Sequence, residues 1–177
     1  MTARAEKGRR GYKGSALVWG GAAALLALPL VAMRFTREVA WTASDFAVMG
    51  AMLFAACGAW ELATRASGSL AYRAGAGIAI VTAFLTIWIN LAAGMIGSED
   101  NPYNLAFAGI VLLALAGGAV ARFRPRGLAA AMAAAAVAQA AAAALGLSTD
   151  LRGGLLSAAF ALPWLLSAVL FRKAARE

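Results

Sequence analysis

Apolar residues run along this chain in six long stretches, at about 14–33, 44–64, 74–97, 103–121, 127–147 and 153–171. A helix that crosses the roughly 30 Å hydrocarbon layer of a bilayer needs about 20 apolar residues, each rising about 1.5 Å. All six stretches meet that length. They are continuous rather than alternating, so they do not read as barrel strands. The pattern predicts an all-α fold: a six-transmembrane-helix bundle filling residues 14–171 as a single domain, with a basic tail at 1–13 and another at 172–177.

The polar breaks carry charge of alternating sign. Of the 16 basic residues, only Arg34, Arg37 and Arg152 fall in the breaks after the first, third and fifth stretches. Those breaks and their edges hold Glu38, Asp45, Glu99, Asp100 and Asp150, five of the eight acids. The other basic residues, from Arg4 to Lys13, Arg65, Arg73, Arg122, Arg124, Arg126, Arg172, Lys173 and Arg176, lie on the opposite side. An excess of Lys and Arg marks the cytoplasmic face, so both termini are expected to be cytoplasmic. The first tail suits an anionic leaflet and is expected to lack regular structure until it meets headgroups. Arg9-Arg10 before an apolar run could open a signal peptide. The run is long, contains Pro29 and reaches Arg34 without a small-x-small cleavage site, so a first membrane helix is the expectation.

Finer signals set the edges. Phe35, Val39 and Trp41 alternate with charges and predict a short interfacial helix, with Trp41 as anchor. Thr42-Ala-Ser-Asp45 is a capping box. Glu61 and Arg65, four apart, are placed to pair. Gly94 and Gly97 are expected to thin the outer end of the third helix, and Asn101-Pro102 to open the fourth. Gly109, Ala116 and Gly117 permit close packing of the fourth. The fifth, from Leu128 to Leu147, is nearly all alanine, broken by Met132, Val137 and Gln139. Small residues let backbones approach, so this helix is expected to be mostly buried, against its neighbours or a second copy. Pro163 predicts a kink in the sixth. No three-plus-three internal repeat aligns.

Composition agrees with a membrane class: 63% of residues are hydrophobic. The net charge of +8 would suit nucleic acid, but the basic residues sit at helix ends rather than on a soluble face, so no nucleic-acid partner is expected. There is no His and one cysteine, Cys57. That removes internal disulfides, His-ligated haem and the usual zinc sites, and no cofactor is expected.

Catalytic chemistry has little to stand on. There is no His base, nucleophile elbow, intramembrane carboxylate dyad or phosphate loop, so no enzyme is expected. The best polar constellation is extracytoplasmic. Thr82, Thr86 and Asn90 share one face of the third helix, Asp45 opens the second, and Glu99, Asp100 and Asn101 form a loop with Asn104. Such an oxygen-rich mouth above a buried amide could hold a hard cation or guide a polar solute. Each residue also has a plainer use as a cap, a solvated acid or interhelical glue. Gln139 is the other intramembrane amide, within reach of Asn90 if the third and fifth helices touch.

Three segments carry a resemblance: Trp41-Thr-x-x-Asp45-Phe46, Trp88-x-Asn90-Leu91-Ala92-x-Gly94-x-Ile96-Gly97-Ser98-Glu99-Asp100-Asn101-Pro102, and Ala121-Arg-Phe-Arg-Pro-Arg-Gly127. Over most of its length, from Arg34 onward, the chain resembles a family of small bacterial integral membrane proteins. The resemblance implies a bacterial inner-membrane location and brings no catalytic or ligand residue with it. The expected function is non-enzymatic, through helix packing, as an accessory or assembly subunit or a homo-oligomer. The alternative is a small transporter or channel for a cation or polar solute. The expected partners are a bilayer with anionic headgroups at its cytoplasmic face and a second copy or larger membrane complex.

Overall fold

A computed structural model describes the backbone of residues 2–177 and the side chains of residues 14–177. The described chain is helical and contains no strand. Its helices are α1 (Thr2–Ala32), α2 (Ala43–Ala66), α3 (Leu70–Ala92), α4 (Leu105–Val120), α5 (Pro125–Gly146) and α6 (Leu151–Ala174), with a 3₁₀ turn, Pro102–Asn104, leading into α4. Among the described residues, six segments are long and apolar enough to cross a membrane. They lie within a few residues of the apolar stretches. α1 begins at Thr2, inside the tail expected to lack regular structure. The basic side chains of that tail, and their expected contact with lipid, lie outside the described residues.

The chain divides into two compact units, residues 1–62 and 63–177. In the first, α1 and α2 meet through aromatic and polar contacts. Trp19 packs edge-on to Phe54 with ring centroids 5.3 Å apart. The Trp19 indole N–H donates to Glu61 Oε1 at 2.8 Å, and the Ser15 hydroxyl donates to the same oxygen. Glu61, expected to serve Arg65, thus also ties α2 to α1.

Between α1 and α2 the chain departs from expectation. Residues 33–42 form a turn at 33–35, a bend at 37–38 and otherwise irregular backbone, not a helix. The segment is too short to repay helix nucleation in isolation, and its polar groups are used locally. The Glu38 N–H donates to Thr36 Oγ1 at 3.1 Å, a side-chain turn that competes with helix. Trp41 packs edge-on against Phe46, at 5.2 Å.

In the second unit, α5 packs against α6 and α4, and α6 against α3. Half of α5 is buried, the largest share of any span. Its small residues explain this. A Cβ on Gly117 of α4 would come within 2.8 Å of Ala131 Cβ on α5, so the helices meet backbone to backbone there. A Cβ on Gly75 of α3 would stand 3.3 Å from the Ser167 carbonyl oxygen of α6, and the Ser167 hydroxyl donates to the Gly75 carbonyl at 2.8 Å. Trp164, Phe107, Phe171, Met95 and Ile96 complete the core. α6 runs unbroken through Pro163.

The end of this unit that carries most of its arginines is held by backbone acceptors. Arg73 donates to the Ser67 carbonyl at 2.8 Å and the Thr64 carbonyl at 2.9 Å, capping the last turn of α2. Arg122 and Phe123 adopt positive φ, 51° and 56°, and turn the chain from α4 toward α5. L-residues adopt this region at a cost. The turn is secured by the Phe123 N–H on the Gly118 carbonyl at 2.9 Å and the Tyr72 hydroxyl on the Phe123 carbonyl at 3.1 Å.

Candidate functional site

The α3 stripe is buried. Thr82 and Thr86 are 3% and 0% exposed. Each hydroxyl donates to the carbonyl four residues earlier, Thr82 to Ile78 at 2.7 Å and Thr86 to Thr82 at 2.8 Å. Helix threonines commonly bond back in this way when no external partner is reached. Asn90 ends the stripe differently. Its Oδ1 accepts the Met95 N–H at 3.2 Å, while its buried Nδ2 has no partner among the described residues.

Gln139 does not meet Asn90. α6 is the helix that packs along α5, so the Gln139 amide donates to the Ser157 carbonyl at 3.2 Å and to Ser157 Oγ at 3.1 Å. Gln139 Oε1 and the Trp164 indole N–H are the other buried side-chain polar atoms without partners among the described residues.

The loop after α3 is a polar knot. α3 stops at Ala92, short of the expected 97, because Gly94 and Gly97 take positive φ of 75° and 71°. These glycines turn the chain rather than thin a helix. A Cβ on Gly94 would meet the Ser98 carbonyl at 2.5 Å. Inside the turn sits Asn104, buried. Its Oδ1 accepts the N–H groups of Met95 at 3.1 Å and Ile96 at 2.9 Å. Its Nδ2 donates to the carbonyls of Ser98 at 2.8 Å and Ile96 at 3.3 Å. One amide therefore satisfies four backbone groups that helix and sheet leave unpaired. Asn101, half-buried, repeats the device, donating to the Ile96 carbonyl at 3.0 Å and accepting the Tyr103 N–H at 3.0 Å.

Asp150 fastens this knot to α6. Its Oδ1 caps α6 by accepting the Gly153 N–H at 3.0 Å. Its Oδ2 accepts the Gly97 N–H at 2.9 Å. Those two donors, Gly153 first and Gly97 second, hold the carboxyl below the ordinary value of 3.8, with nearby Arg152 adding a smaller pull. Hydrogen bonds to the charged form always act in this direction. A cap at Asp150 is readable from an Asp directly before an apolar run. Its second bond spans 53 residues, and no local pattern signals it.

The acidic mouth does not close on itself. Glu99 and Asp100 are exposed, and among the described residues no three His, Cys, Asp or Glu side chains converge as a metal site. Asp45, in the first unit, accepts the Thr42 N–H at 2.7 Å and the Thr42 hydroxyl at 2.8 Å, the capping box of α2. The structure thus brings Asn90 and Asn101 together with Asn104 around residues 95 and 96, and pairs Gln139 with Ser157. Comparison with known protein families, with curated proteins and with solved structures finds no match to this chain.

Proposed function

We propose that the protein is a non-enzymatic integral membrane protein that works by helix packing, as an accessory or assembly subunit or as a homo-oligomer. We place it in a bacterial inner membrane with both termini cytoplasmic. The observation that carries this reading is the outward face of α5. Ala130, Ala134, Val137, Ala141 and Ala144 recur at alternating steps of four and three, so they share one side, and all are exposed. Small residues in lipid gain most when another helix approaches them closely. The opposite face of α5 already packs in that way against α4 and α6.

The buried, back-bonded threonines of α3 also favour packing over transport, because a solute path needs hydroxyls open to water. The transport reading keeps one observation, the unpartnered Asn90 Nδ2. Purification in mild detergent followed by native mass spectrometry separates the two. A fixed stoichiometry with other subunits or with itself is expected. A lone chain whose reconstituted vesicles pass cations, and lose that flux in Asn90→Leu, would replace this reading with transport.

A further inference from the structure

The arginine-bearing end of the second unit contains two open clefts side by side. One, of about 430 Å³, lies between Arg126, Ala129 and Ala133 on α5 and Arg172, Ala175 and Arg176 at the end of α6. The other, of about 820 Å³, shares Arg126 and Ala175 and adds Arg122 and Arg124 from the α4–α5 turn. Ligands are commonly held in volumes of about 300–1,000 Å³. Five guanidinium groups line the pair, and no carboxylate does.

We infer that the cleft between α5 and α6 is a binding site for an anionic phospholipid, its phosphate held by Arg126, Arg172 and Arg176 and its glycerol and upper acyl chain laid over Ala129 and Ala133. The charge is one argument. Guanidinium groups match phosphate oxygens in paired hydrogen bonds, and three on one rim with no carboxylate in the lining want an anion. Arginine also opens α5, where the helix dipole favours negative charge, and Arg124 provides no side-chain cap there. The dipole only adds to the field of the guanidiniums.

The shape is the second argument, and it selects a lipid over free phosphate. Arg126, Ala129 and Ala133 lie at steps of three and four along one face of α5, so the cleft runs from charge into apolar wall over about 10 Å of helix. That wall belongs to a segment long and apolar enough to cross a membrane. A free phosphate has no use for such a wall. An amphiphile with its charge at the headgroup and its chain in hydrocarbon uses both parts, and basic clefts between membrane helices take lipids of this kind. The positive-φ turn at Arg122 and Phe123, pinned by Tyr72, sets the outer arginines of the adjoining cleft.

The test is native mass spectrometry of the full chain in mild detergent, titrated with phosphatidylglycerol and, separately, with phosphatidylcholine. Phosphatidylglycerol is expected to bind in preference. The exposed-site variant R126Q/R172Q/R176Q should weaken it about 100-fold. Ala133→Leu, which keeps every charge and fills the cleft, should also weaken it. R34Q/R37Q/R152Q, which removes the same charge elsewhere, should leave it unchanged. Excess inorganic phosphate should not displace the lipid. Equal binding of phosphatidylcholine, equal loss in the R34Q/R37Q/R152Q control, or displacement by phosphate would each overturn the site. So would full binding by Ala133→Leu, which decides the matter should the triple arginine variant fail to fold.

Discussion

Asp150 holds the N–H of Gly97 at 2.9 Å with one carboxylate oxygen while its other oxygen caps α6 through Gly153. One side chain thereby joins the loop after α3 to the start of α6. Because both donors favour the ionised form, the link depends on pH. A folded value below 3.8 means that the contribution is fully present above that value and disappears as pH falls through it and through the lower folded value. Thermal melts should therefore be flat from pH 7 to about pH 5 and decline below about pH 4. Asp150→Asn should melt lower at neutral pH and show a shallower acid decline.

Asn104 is the stronger point of the knot because it is buried and serves four backbone groups. Asn104→Ala leaves the Ile96 N–H without its acceptor, at about 1–3 kcal/mol for a group left unpaired, while the Met95 N–H keeps the Asn90 Oδ1. Amide exchange at residues 95 and 96 should rise with the loss of stability. Asn104→Asp keeps the acceptor and turns an oxygen toward the Ser98 carbonyl, so it should fail as well. Full stability in Asn104→Asp would show that the donated bonds contribute nothing.

Two glycines on α4 should answer oppositely to the same change. A Cβ at Gly117 meets Ala131 Cβ at 2.8 Å, whereas nothing lies within 4 Å of one at Gly109. Gly117→Ala should be destabilising, by about 1–3 kcal/mol if α4 and α5 are forced apart. Gly109→Ala should be neutral or stabilising by up to about 1 kcal/mol, through helix propensity. Denaturation in mixed micelles reads both, and equal effects would refute close contact at Gly117.

Gln139 should matter little despite complete burial. Its Nε2 is bonded to Ser157, but its Oε1 has no partner among the described residues, so removal relieves one cost as it loses one gain. Gln139→Leu should shift stability by less than about 1 kcal/mol, and a double-mutant cycle with Ser157→Ala should give a coupling of about 0.6 kcal/mol. A coupling several times larger would mark this pair as a principal tie between α5 and α6.

What was legible in the sequence follows from the range of the forces involved. The six spans come from local hydrophobic content, and so do the capping box at Thr42 and Asp45 and the Asn101 cap. The partners of Gln139 and Asp150 lie 18 and 53 residues away, and depend on which helices lie side by side. Gly94 and Gly97 read equally well as packing glycines or turn glycines, and only the carbonyls around Asn104 choose between them. The segment 35–41 misled because its apolar–charged alternation resembles an amphipathic turn, while Thr36 and Glu38 close a side-chain turn instead. Arg73 reads in the sequence as a marker of topology, and its guanidinium has a second use, bonded to the end of α2, that no local pattern signals.

α4 has only 16 residues and is about 24 Å long, less than the roughly 30 Å of hydrocarbon a bilayer presents. Tyr103, just ahead of it, donates its hydroxyl to the Ala142 carbonyl at 2.7 Å, four residues or about 6 Å short of the end of α5. The 3₁₀ turn Pro102–Asn104 extends α4 at this end to an apolar span of 19 residues, Pro102–Val120, and Asn104, the last residue of the turn, bonds to the irregular backbone of residues 95–98. Hydrocarbon offers a backbone no hydrogen bonds. At the mouth of a span, four backbone groups outside any helix would have to find partners of their own, and a single side-chain amide answers all four.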